Sequence, residues 1–150
     1  MATTPQRYTR SYYNLWRNKF TDILSVSADY RIVLLTSSYT PHVDTDDSYA
    51  DISAYEVSGT GYTAGGKTLT NLDVAVNGYE FSIDSDDVSW PSSTIPNARY
   101  AVLCDYTPSD NSNKKLVCYW DLLQDHSSSY TTFLLVFSSS GILKESAQQV

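Results

Sequence analysis

Gly59, Gly61, Gly65 and Gly66 fall in one stretch, Tyr55-Glu-Val-Ser-Gly-Thr-Gly-Tyr-Thr-Ala-Gly-Gly66, where the chain comes nearest to a phosphate-binding loop. A dinucleotide fingerprint needs Gly-x-Gly-x-x-Gly between a strand and a helix, so that helix amides meet the pyrophosphate. Here the spacing is Gly-x-Gly-x-x-x-Gly, and the residues that follow, Lys67-Thr-Leu-Thr-Asn-Leu-Asp-Val-Ala-Val76, have the Thr and Val content of a strand. Lys67 follows Gly66 directly, without the spacing of a Walker loop. The expectation is a wide, glycine-permitted turn between β elements, and no nucleotide cofactor.

The carboxylates form two clusters. Asp44, Asp46, Asp47 and Asp51 lie in a polar stretch, Ser37–Ala50 and just beyond. An EF-hand read from Asp44 needs glycine at its sixth position and Glu at its twelfth, but those positions hold Tyr49 and Tyr55. A solvated acidic loop is expected there, with a looser Ca²⁺ site as the alternative. Asp84, Asp86 and Asp87 are expected to form a tight bend. His42 and His126 are the only histidines, both in polar turns, and there is no Gly-x-Ser-x-Gly elbow. A glycosidase needs two carboxylates converging on a cleft, and the spacing offers no such pair. The chain is therefore read as no enzyme, with no cofactor and no metal. Trp16, Trp90 and Trp120 could line a sugar-binding face, although one or two are expected in any β core.

The elements that position these residues are mostly strands. Arg31–Thr36 is an apolar run, as for a strand buried on both faces. Short strands are expected at Leu69–Val76, Tyr79–Ile83, Asp87–Trp90, Arg99–Tyr106, Lys115–Leu122, Tyr130–Phe137 and Gly141–Lys144. Asn77-Gly78 between two of them predicts a type I′ hairpin turn, and Ser109–Lys114 closes the next hairpin. A helical turn is expected near Tyr49–Ala54. Ser11–Leu24 predicts one helix, capped by Ser11, with Tyr12, Trp16, Phe20 and Ile23 on an apolar face against a sheet or a neighbour. The fold class is mainly β: an antiparallel β-sandwich or jelly-roll-like single domain over 11–150 with one N-terminal helix, preceded by a flexible arm over 1–10. Pairing Tyr106 with Leu116 would also pair Cys104 with Cys118 on one face. Two reduced, buried thiols are the expectation, and a strained cross-strand disulfide the alternative.

Composition narrows the function classes. The net charge of −7 disfavours nucleic acid as the main partner, and no apolar run is long enough to cross a bilayer. Residues 1–31 hold five basic side chains against two acidic ones, +3, which leaves −10 for the rest. Such a segment either lies on an acidic surface of a partner or neighbouring copy, or is a solvated terminus. The 13 tyrosines favour contact-making over a freely diffusing enzyme.

Four segments occur here in one order: Arg31-Ile-Val-Leu-Leu-Thr-Ser-Ser-Tyr-Thr-Pro41, Ile52-Ser-Ala-Tyr-Glu-Val-Ser-Gly-Thr-Gly-Tyr-Thr-Ala-Gly-Gly66, Asp86-Asp-Val-Ser-Trp90 and Ala98-Arg-Tyr-Ala-Val-Leu103. Together, across residues 13 to 143, the chain resembles a family of small structural proteins of tailed-phage virions. Members look like head decoration (cement), head-fibre or other accessory virion proteins, and the resemblance implies no catalytic residues. The basic arm and the two cysteines depart from the family's pattern. The resemblance implies a capsid decoration protein, made in the host cytoplasm and seated on the outer surface of the head. It would bind the major capsid protein and itself, as a homotrimer. The alternative is a receptor- or glycan-binding module of a tail or head fibre. Arg7, Arg10, Tyr12, Tyr13, Trp16, Arg17 and Phe20 are the residues expected to contact the shell or a neighbouring subunit. Removing residues 1–12 is expected to weaken attachment and leave the fold intact.

Overall fold

A computed structural model describes residues 4–147, and among them the chain is mainly antiparallel β. The strands are β1 (Gln6–Arg7), β2 (Tyr30–Thr36), β3 (Lys67–Thr68), β4 (Asp73–Asn77), β5 (Glu80–Asp84), β6 (Val88–Ser93), β7 (Ala98–Asp105), β8 (Leu116–His126), β9 (Thr131–Leu135) and β10 (Leu143–Ser146). The helices are α1 (Thr9–Trp16) and the one-turn α2 (Tyr49–Ile52), which runs into a 3₁₀ turn at Ser53–Tyr55. The main sheet has the order β1-β8-β7-β2-β3, beside a three-stranded sheet β10-β5-β4 and the pair β6-β9.

The main sheet is covered on both faces, which explains the unbroken apolar run in β2. Ile32 and Leu34 point into one core, against Trp90 of β6, Phe133 and Leu135 of β9, and Ile83 and Leu143 of the three-stranded sheet. Val33 and Leu35 point into a second core, with Tyr8, Tyr39, Tyr49 and Ile52 from the N-terminal and 37–55 segments. The result is a sandwich-like domain in which β2, β7 and β8 form the shared wall.

Register departs from simple alternation at β8. Leu103 pairs with Cys118 and Cys104 with Leu116, so Val117 is an extra residue. The bulge puts Val117 and Cys118 in the first core, while Leu116 and Cys104 face the second. Cys104 and Cys118 therefore lie on opposite sides of the sheet, both free and buried, and the shared face expected for them is overturned. Burial pushes both thiols well above their ordinary pKa.

The β4–β5 turn is also displaced by one residue. Asn77 pairs with Glu80, so Gly78 and Tyr79 occupy the corner. Gly78 has φ +62° and Tyr79 is not in the left-handed region, the sign pattern of a type II′ turn and not of I′.

Candidate docking surface

The chain enters through β1, which pairs Gln6 with Tyr119 and Arg7 with Cys118 on β8. Tyr8 follows and is fully buried, its hydroxyl 2.8 Å from that of Tyr39, which donates to Asp46 at 2.6 Å. Desolvation, then the neighbouring Tyr39, raises the Tyr8 pKa well above its ordinary value. The unfixed arm expected over 1–10 is thus replaced by a paired and buried segment from Gln6 onward; residues 1–3 lie outside the described residues. Three core contacts explain the difference: the strand bonds, the Tyr8 ring on Tyr119 at 5.3 Å, and the hydroxyl chain. A truncation through residue 12 would remove Tyr8, so the expectation that it spares the fold is withdrawn.

α1 sits on its polar side. Its buried residues are Ser11 and Asn14. Ser11 is inside the first turn, its hydroxyl donating to the Tyr8 carbonyl at 2.7 Å, and Tyr8 occupies the cap position expected for Ser11. Asn14 Nδ2 donates to Asp47 Oδ1 at 2.7 Å, and Lys115 Nζ reaches the other oxygen of Asp47 at 2.5 Å. Burial raises the Asp47 pKa, but the bonds from Lys115 and Asn14 outweigh it and hold the carboxyl below its ordinary value.

Because the small polar face is inward, the aromatic face is outward. Trp16 is 89% exposed, with Tyr12, Tyr13 and Leu15 each about half exposed. This reverses the inward stripe expected of Tyr12 and Trp16. Trp90 and Trp120 are buried, so Trp16 alone of the three tryptophans meets solvent. The helix also ends at Trp16 and not at Leu24. Asn18 takes φ +52°, and the Lys19 amide closes onto the Asn14 carbonyl at 2.9 Å, a left-handed C-terminal cap. Phe20 and Ile23 lie beyond that cap. They turn inward and pack half-buried against the first core.

The seven residues singled out by sequence thus divide into four groups. Arg7 and Tyr12 are latched to β10: Arg7 donates to Glu145 at 2.9 Å and stacks 3.8 Å over the Tyr12 ring, while Tyr12 donates to Glu145 at 2.7 Å. Arg10 and Arg17 flank Tyr13, at 5.2 Å and 5.5 Å from its ring, and Arg17 also donates to its hydroxyl. Trp16 stands free beside them, and Phe20 is turned away. Leu15 carries no signal in the sequence, since it lies off the stripe expected to be buried.

Beside this face runs an apolar groove of about 300 Å³. One wall is Leu15, Phe20 and Ile23; the other is Val74, Phe81 and Leu143 of the three-stranded sheet. The sequence carried no signal for it, because its walls come from segments 51 to 128 residues apart.

The other chemical candidates are bound up internally. Glu56 accepts bonds from Tyr49 (2.6 Å), Tyr62 (2.5 Å) and the Gly65 amide (2.8 Å), which pins the glycine turn to the sheet. Gly66, at φ +75°, passes so close to β2 that a Cβ there would lie 2.0 Å from the Ile32 carbonyl oxygen. The glycines thus serve close backbone packing. In the acidic loop, Asp46 holds Tyr39 and the His42 amide, Asp47 holds α1, and Asp51 accepts from the Ser48 amide at the start of α2; Asp44 faces solvent. Asp86 accepts from Thr70 and Asn71, and Asp87 from the Phe137 amide. Among the described residues no group of three or more His, Cys, Asp or Glu is arranged to hold a metal ion. No helix among them is long and apolar enough to cross a membrane.

No protein-family model, curated protein or solved structure matches the chain.

Proposed function

We propose that this chain is a non-enzymatic structural protein of a phage virion, a decoration (cement) protein on the outer surface of the head, docked on the major capsid protein through α1. The carrying observation is the inverted helix: Trp16 stands 89% exposed, with Tyr13 and Leu15 beside it, on an element clamped to the domain by Asn14, Arg7 and Tyr12. Exposed aromatics and arginines on a rigid element are what a protein interface uses, because their contact area comes at little entropic cost. The resemblance of the segments between Arg31 and Leu103 supplies the virion setting. A homotrimer on three-fold positions of the shell belongs to the same proposal, since symmetric repetition turns modest contacts into firm attachment.

Immunogold labelling of source particles with an antibody to the chain tests this reading. Label spread over the head supports it. Label confined to the tail tip moves the protein to the receptor-binding class, and particles without label overturn the virion setting. The attachment role of α1 is tested on the same particles by exchange with chain carrying Trp16→Ala.

A further inference from the structure

We infer that the groove beside α1 takes an apolar anchor from an acidic segment of the docking partner; this rests on the proposal that α1 is the docking element. Three observations meet there. The groove is concave and about 300 Å³, the size of a small ligand pocket, and its walls are chiefly apolar side chains such as Leu15, Phe20, Ile23 and Phe81. Leu15 belongs both to this wall and to the exposed face of α1, so groove and face are continuous. The exposed charge along α1 and its C-terminal cap is basic, with Arg10 also 3.8 Å from Asp47 and Arg17 and Lys19 in no ion pair among the described residues. Arg10, Arg17 and Lys19 are exposed, and the chain has no acidic residue before Asp22.

Charge decides among the occupants. A second copy packing α1 on α1 would bring six of these cations together, which repels. A hydrocarbon chain would fill the groove but leave Arg17 and Lys19 without an acidic partner. An extended or helical segment rich in Asp and Glu, carrying a Leu- or Phe-sized side chain, meets both demands. Asp22 is the one acid on the groove wall, and its Oδ1 accepts the Leu24 amide at 3.1 Å. Glu145, on β10 beside the groove, is already engaged by Arg7 and Tyr12. The partner's carboxylates therefore face Lys19 and Arg17, at the end of α1 that opens onto Asn18 and Phe20.

Fluorescence anisotropy tests this with the intact protein and a labelled synthetic peptide of Asp, Glu and Ser built around one Leu-Ser-Ser-Phe anchor. Saturable binding is expected, weakened at least about tenfold by replacing the anchor with Ser, by Arg17→Glu with Lys19→Glu, or by added salt. Changing the peptide leaves the fold untouched, so loss through the anchor reads the groove alone. No saturation up to about 1 mM overturns the inference, as does equal binding of a Lys-for-Asp/Glu peptide. Two further outcomes overturn it by naming another occupant: self-association of the protein abolished by Leu15→Ser, or saturable uptake of an uncharged alcohol without peptide binding. The two readings fail separately. Heads decorated through Trp16 but no peptide binding refutes the anchor alone, and peptide binding without decoration refutes the virion setting.

Discussion

Trp16→Ala should separate folding from docking more cleanly than any other single change. A tryptophan presents about 200 Å² of surface, and Trp16 is 89% exposed in the free chain. About 180 Å² is then available to a partner, worth roughly 4.5 kcal/mol at about 25 cal/mol per Å². Ordering of side chains at the interface and imperfect desolvation reduce that figure, so a loss of about 2–3 kcal/mol is expected, or a Kd raised about 30- to 150-fold. The free protein should hardly notice, because a substitution at an exposed site with no buried contact stays within about 0.5 kcal/mol. Urea denaturation of the variant should overlay wild type. Titration of undecorated heads with each protein, followed by sedimentation, gives the affinity ratio. A variant that decorates heads as well as wild type removes α1 from the interface. A variant with a clearly lowered urea midpoint shows that Trp16 packs inside, and the inverted-helix argument then fails.

Other consequences follow from packing and charge. Neither Cys104 nor Cys118 should react with a disulfide reagent in native buffer, and both should react once the protein is unfolded, because they are buried on opposite faces of the sheet; rapid native reaction of both would show that the sheet is open. Asp47 is a carboxylate with a depressed folded pKa, so its stabilisation is present above the unfolded value near 4 and is lost as pH falls through the folded one. Asp47→Asn should cost about 1 kcal/mol at neutral pH, its ion pairs being partly screened by solvent, and should flatten the loss of thermal stability on acidification; an unchanged acid profile would remove the Asn14–Asp47–Lys115 clamp from the account. Gly66→Ala combines φ +75° with a Cβ 2.0 Å from the Ile32 carbonyl oxygen. It should cost about 3 kcal/mol or more by urea denaturation, and a near-neutral result would mean that the turn can lift away from β2.

Strands were legible because alternation and turn residues are local properties. Arg31–Thr36, Arg99–Tyr106 and Lys115–Leu122 were all placed within a few residues of β2, β7 and β8. What local pattern could not show was the extra residue Val117, since a bulge is defined only against the partner strand. It carried the cysteine pairing with it. The Asn77-Gly78 turn slipped by one to Gly78-Tyr79, and alternation could not reveal it, because both registers keep Val74, Phe81 and Ile83 on one face. The helix was misread for a related reason. Amphipathicity reports which residues share a face but not which way that face points, and the usual inward direction of an apolar face fails for α1. Ser11 and Asn14 gave no warning, because their partners, the Tyr8 carbonyl and Asp47, are fixed by β1 and by a loop far along the chain.

An apolar helix face left in water is costly in solubility, so something must keep the free chains apart until a partner covers it. The charges around Trp16 do this. Arg10 and Arg17 bracket Tyr13 and Lys19 follows at the cap, while the carboxylates that lie against α1, Asp47 and Glu145, are engaged by Lys115 and Asn14 and by Arg7 and Tyr12. The same cations that repel a second α1 attract an acidic partner, so one set of residues supplies both the block and the preference. The stability of the domain does not depend on this face. It resides in the two cores around β2, β7 and β8, to which α1 contributes only Ser11 and Asn14 among its buried residues. With the fold secured elsewhere, Tyr13, Leu15 and Trp16 are free to be selected for contact. That division predicts that neutralising Arg17 and Lys19 to Gln should promote aggregation of the free protein while leaving its unfolding midpoint in place. Light scattering set against urea denaturation measures the two separately. A midpoint that falls together with solubility would refute it.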